Sequence, residues 1–192
     1  MADLSDLPTE LRRVIEDANG RIDQLSAQME AGSISIDQWE SQMETILSET
    51  FEDAARAGAD SPDVEALNDS LENFVAIQLA FLANFAADIA ANGWQPAYRS
   101  RAQMYGEAIK QSYWVADVYK RAGNRVLPLP AMPAEGTQCL SHCGCKWRVV
   151  TVNAENNDYD AYWERLKTDS CQTCVEREAQ WNPVRIRGGV LL

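Results

Sequence analysis

Apolar residues at Leu4, Leu7, Leu11, Ile15, Ala18, Ile22, Leu25 and Met29 recur at steps of three and four. That is the period of one face of an α-helix. Pro8 suits the first turn of such a helix, and Gly32 follows its last apolar position. A second helix is predicted from Ser35, whose hydroxyl can cap the first-turn amides while Gln38 reciprocates. Ile36, Trp39, Met43, Ile46, Leu47, Phe51 and Ala54 form its apolar face, and the run Gly58 to Pro62 breaks it. Ser61 and Pro62 then read as the cap and first residue of a third helix that runs to Asn92 and Gly93. Between Phe74 and Ala91 the apolar residues cover nearly the whole circumference. This predicts a central helix buried on several sides; the alternative is an outer side that docks another subunit. A fourth helix is predicted from Pro96 to Arg121, ended by Gly123.

Beyond it the pattern changes. Val126 to Pro133 holds three prolines, which forbid helix and favour an extended arm. Lys146 to Val152 alternates and is rich in β-branched residues, so it reads as a strand. Asn153 to Asp158 is a turn, Ala161 to Leu166 a returning strand, and Val175 to Trp181 a short helix. The expected fold is mainly α: a bundle of about four helices over 1–123, a Pro-rich arm over 124–138, and a Cys-rich module over 139–192 built on a β-hairpin. Two strands do not hold together alone in water, so the module needs a staple. The tail at Arg185 and Arg187 reads as a frayed basic end, or one that meets acidic surface.

Charge narrows the function. The 192 residues carry a net −12. Residues 1–70 hold 17 acidic and 4 basic side chains, net −13; residues 71–192 hold 12 and 13, net +1. An acidic half of this kind does not neutralise phosphates, which argues against direct, sequence-specific nucleic-acid binding. It suits a soluble protein with a basic partner. The N-terminus lacks a signal-peptide pattern. Gln78, Asn84 and Asp88 interrupt the most apolar stretch, so no membrane span is expected and the chain reads as cytosolic. No nucleophile–base pair or phosphate-binding loop is visible, and the reading is non-enzymatic.

All five cysteines lie between Cys139 and Cys174, an odd number in one short segment, which points to a metal rather than disulfides. Their spacing is Cys139-x3-Cys143-x-Cys145-x25-Cys171-x2-Cys174. Two groups flanking a hairpin suit a tetrahedral site with two donors from each. Cys143 and Cys145 are expected to pair with Cys171 and Cys174, with Cys139 as the spare or a replacement. His142, the single histidine, reads as a neighbour of the site rather than a ligand. A structural zinc is the expected occupant, and an iron–sulfur cluster the weaker alternative. Catalytic zinc is disfavoured because the H-x-E…P-C-x-x-C pattern is not met. Trp147, Trp163 and Trp181 surround these cysteines; they are expected to wall the metal and dock the module, or alternatively to offer an aromatic hot spot to a partner.

The run Tyr98 to Tyr105, the Pro-rich arm, Gly136 to Trp147, Cys171 to Cys174 and Trp181-Asn182-Pro183 together resemble a group of tailed-phage structural proteins. These are related to the phage Mu protein F-like minor head, or head morphogenesis, proteins. The likeness covers roughly residues 95–187, with the two cysteine groups in the opposite order to the family's. Residues 1–94 match only in being helical. The resemblance implies a virion protein assembled in the host cytoplasm, contacting portal or capsid in few copies. The competing expectation is a capsid decoration or neck (connector) protein; a zinc-dependent nucleic-acid-binding regulator ranks below both.

Overall fold

The computed structural model describes residues 7–133, 135–138, 144–165 and 170–192. Five helices form a bundle: α1 (Thr9–Glu30), α2 (Ile36–Ala59), α3 (Asn68–Asn92), α4 (Pro96–Ala108) and α5 (Lys110–Arg121). A four-stranded antiparallel sheet follows, in the order β1 (Cys145–Asn153), β2 (Asp158–Arg165), β3 (Val184–Arg187) and β4 (Val190–Leu191). Helix α6 (Gln172–Gln180) bridges β2 and β3.

The first two helices follow their patterns closely. Leu11, Ile15, Ala18, Ile22 and Leu25 are buried along α1, and Pro8 stands as its cap. Leu4 lies outside the described residues. Helix α2 has the expected capping box: Gln38 N–H donates to Ser35 Oγ (3.2 Å) and Ser35 N–H to Gln38 Oε1 (2.9 Å). Trp39, Met43, Leu47, Phe51 and Ala54 are fully buried. Helix α2 sits at the middle of the bundle, packed on α1, α3 and α5, while α4 lies on α1.

Two expected breaks take another form. Gly58 is inside α2, not after it. A Cβ there would collide with the Tyr113 carbonyl oxygen and lie 3.1 Å from Ala116 Cβ, so the glycine lets the backbones of α2 and α5 approach closely. Ser61 and Pro62 do not start α3. Ser61 Oγ accepts from Asp63 N–H and Asp63 Oδ1 from Glu65 N–H, and a 3-10 turn at Glu65–Leu67 intervenes before Asn68. These local side-chain bonds compete with the helix for the same amides.

Helix α3 is not the central helix. Leu71, Phe74, Leu82, Phe85 and Ile89 point into the core, but Ile77 is 45% and Phe81 56% exposed. By length and composition the segment Glu65–Asn92 is long and apolar enough to cross a membrane, although one face packs in the bundle. The single helix expected over Pro96–Arg121 is two. At Ile109 (ψ −17°) the bonding tightens, and Ser112 N–H donates to Ile109 O. The Glu107 and Lys110 side chains lie buried across this break, 3.5 Å apart.

The basic tail is not frayed. Arg187 pairs with Asp160 (2.8 Å) and donates to Tyr159 O, and β3 and β4 extend the hairpin to four strands. The module seats on the end of α5. Tyr159 O–H donates to Ala122 O (2.9 Å), and Arg125 donates to Tyr159 Oη and to Ala154 O. The arm runs between the two parts: Leu127 and Leu129 pack against the sheet clusters, and Ala131 O accepts from Trp147 Nε1 (2.9 Å).

Candidate metal centre

The hairpin register sets Cys145 opposite Arg165 and Trp147 opposite Trp163. Cys145 therefore opens β1 at the end of the sheet farthest from the hairpin turn. The second cysteine group lies on α6. Cys171 is the residue before its first turn, with extended backbone (φ −63°, ψ 159°), and its carbonyl accepts from the amides of Cys174 (3.0 Å) and Val175 (3.2 Å). This turn places Cys174 within the helix N-terminus, where the aligned amides favour a thiolate.

The sheet and α6 bring three of the five cysteines into one apolar cluster. Cys145 and Cys174 are buried with Trp147, Ala161, Trp163, Val184 and Val118 of α5; Cys171 packs at the rim beside Trp181. Arg165 stands next to them, held by Glu178 through Nε (2.7 Å) and Nη2 (2.6 Å). The Glu178 hydrogen bond raises the basicity of Arg165 most; burial opposes it, and the charges of Glu178, Cys145 and Cys174 add to the rise.

Cys139, His142 and Cys143 lie outside the described residues. Among the described residues no group of three or more His, Cys, Asp and Glu side chains is placed to hold a metal ion. A complete soft donor set therefore requires the 139–143 segment, which enters β1 directly.

The three tryptophans form one aromatic wall. Trp147 and Trp163 meet edge to face at 5.1 Å, Trp163 and Trp181 likewise at 5.6 Å, and Trp147 stacks on Trp181 at 5.8 Å. Arg177 of α6 covers Trp163 and Trp181 at 5.3 and 4.9 Å. Trp147 and Trp163 are fully buried, so they dock the module and do not form a surface hot spot.

Sequence reasoning missed Asn182, Arg165 and Tyr159. Asn182 mimics a strand residue: its Oδ1 accepts from Trp163 N–H (2.6 Å) and its Nδ2 donates to Trp163 O (3.0 Å). It lies two residues past the Ala161–Val184 pair in the β2–β3 register. No local pattern announces such a role. Comparison with protein-family models, with characterised proteins and with solved structures finds no match.

Proposed function

We propose that the protein is a non-enzymatic structural component of a tailed-phage virion, a minor head protein whose C-terminal module is stapled by zinc. One observation supports the metal part: Cys145 at the start of β1 and Cys171 and Cys174 at the start of α6 belong to one apolar cluster, although these three alone are not placed to hold an ion. Cys145, Cys171 and Cys174 supply three thiolates, and Cys143 or Cys139 the fourth. Zinc in such a set acts structurally, because four protein ligands leave no open position. It would tie the start of β1 to the start of α6. Iron–sulfur is the weaker alternative.

The metal test is direct. Protein purified without added metal should carry one zinc per chain, and Cys174→Ser should lose it. Absence of zinc, or visible charge-transfer absorption typical of iron–sulfur clusters, would count against the assignment.

The virion part is supported by the resemblance over residues 95–187 and by the acidic, phosphate-averse helices. Portal, capsid or neck proteins are the partners it implies, in the virion and in the host cytoplasm during assembly. Mass spectrometry of purified particles and of assembly intermediates should find the chain at low copy number. High copy number would favour a decoration protein, and complete absence from both would refute the reading.

A further inference from the structure

The chain contains two Asn-Gly pairs, Asn19-Gly20 and Asn92-Gly93. Asparagine followed by glycine is prone to lose its side-chain amide, because no Cβ hinders the next backbone nitrogen from reaching the Asn Cγ. The fold treats the two pairs differently. Asn19 lies inside α1 with helical turns on both sides, and its Oδ1 is buried against Gly106 of α4. Asn92 is the last residue of α3 and is exposed. Gly93 has already left the helix (φ 69°, ψ 170°) and is exposed as well. Its amide donates to Ile89 O at 2.8 Å, the final backbone bond of α3. Opening that bond frees the Gly93 nitrogen, whereas freeing the Gly20 nitrogen breaks α1 in its middle. Helix ends open far more readily than helix interiors.

We propose that Asn92 is a site of spontaneous covalent modification that loosens the connection between α3 and α4 as the protein ages, and that Asn19 is shielded from the same reaction. The Gly93 nitrogen attacks Asn92 Cγ and closes a cyclic imide. The proton it loses leaves with the side-chain amide nitrogen as ammonia. Water then opens either carbonyl of the ring, giving aspartate or isoaspartate. The product forms at a hub. The Asp88 carboxylate accepts from Asn92 Nδ2 (2.8 Å) and from Arg101 of α4 (2.9 Å), and Tyr98 of α4 hydrogen-bonds it too. Asn92 Nδ2 also donates to Asp88 O (3.2 Å), and Gln95 Nε2 donates to Asn92 O (2.9 Å). Conversion replaces the Nδ2 donor by a second carboxylate, four residues from Asp88 and at the negative end of the α3 dipole. Both neighbours oppose that charge. The isoaspartate product also lengthens the main chain between the two helices by one methylene.

This inference is independent of the metal and of the virion assignment. The full chain as purified is held at mildly alkaline pH, folded in buffer or unfolded in urea, and peptide mapping by mass spectrometry follows both asparagines over time. In urea the two should convert at similar rates. In the folded chain Asn92 should convert, giving separate aspartate and isoaspartate peptides, while Asn19 lags by at least about 10-fold, the ratio that about 1.4 kcal/mol of extra opening cost gives. Asn92→Gln should abolish the modification at this position and leave the circular dichroism unchanged. Asn92→Asp, which mimics one product, should speed amide hydrogen exchange over residues 88–98. An Asn92 that converts no faster than Asn19 in the folded chain overturns the site. An Asn92→Asp chain that exchanges like the wild type over 88–98 overturns the loosening.

Discussion

The helical bundle and the C-terminal module are held together by different means. In the bundle, five helices share one continuous apolar core, from Leu11 and Ile15 of α1 through Trp39 and Phe51 of α2 to Phe85 and Ile89 of α3. The module has two small clusters, one around Trp147, Trp163, Cys145 and Cys174 and the other around Tyr159 and Ile186. Both include residues of the bundle's last turn, Val118 and Ala122. The bundle thus closes on itself, while the module finishes its core by borrowing from α5 and the arm. A sheet this small has too little interior to fold on apolar burial alone. Docking and the proposed metal fill that gap.

Removing the metal should give the largest separation between the two regions. Structural zinc contributes an apparent 10–16 kcal/mol in small domains, roughly the whole stability of a module of this size. A strong chelator at neutral pH should open the C-terminal part to protease from about residue 124 onward and leave a resistant helical fragment. Mass mapping of the digest reads the boundary directly. A C-terminal part as resistant as before would show that packing alone suffices there.

Next in size is a cavity placed in each region. Trp163→Ala should cost about 3–5 kcal/mol in the module, and Phe51→Ala a similar amount in the bundle. Calorimetry then distinguishes the regions. Two transitions that respond separately would confirm independent units; one transition that moves with both would show that the α5 contact couples them.

Gly58→Ala tests the close contact between α2 and α5. The new methyl group meets the Tyr113 carbonyl, which is backbone and cannot rotate away. The expected loss is about 1–3 kcal/mol in denaturant unfolding, with little change in the protease resistance of the module.

The smallest effect concerns acid. Arg99 donates to both carboxylate oxygens of Asp23 at 2.6 Å, joining α4 to α1. These hydrogen bonds hold the Asp23 carboxyl below the usual aspartate range, against a partial desolvation that raises it. A depressed carboxylate stabilises the fold above its unfolded value of about 3.9, and that contribution fades as pH falls through the lower folded value. Both side chains are more than a third exposed, so solvent screening limits the gain to below about 1 kcal/mol. Arg99→Gln should lower stability at neutral pH by up to about 1 kcal/mol and flatten the acid limb below pH ~4, the two proteins converging once Asp23 is protonated in both states.

Sequence alone placed α1 and α2 well because both bury a single stripe with ordinary caps. Ser35 and Gln38 spelled out a capping box, and the structure contains it. It also located the hairpin, since the turn Asn153–Asp158 sits between two alternating segments. It misjudged α3, because an apolar circumference does not say how many neighbours a helix has. It missed the break at Ile109, where neither proline nor glycine marks the site. It left open whether Arg185 and Arg187 fray or meet acidic surface; Arg187 is anchored by Asp160, 27 residues earlier.

The candidate centre divides in the same way. Cysteine spacing nominated candidate donors, because ligand chemistry is written in residue type. The sequence by itself determined the helical periods, the caps, the acidic half and the clustering of the thiols, all of which are local or compositional. Only the tertiary structure decided that α3 lies at the edge, that Cys145 and Cys174 share a buried cluster beside Arg165, and that Asn182 extends the sheet at Trp163. Each of these depends on partners distant in the chain, and side-chain spacing carries no record of which distant surface a face will meet.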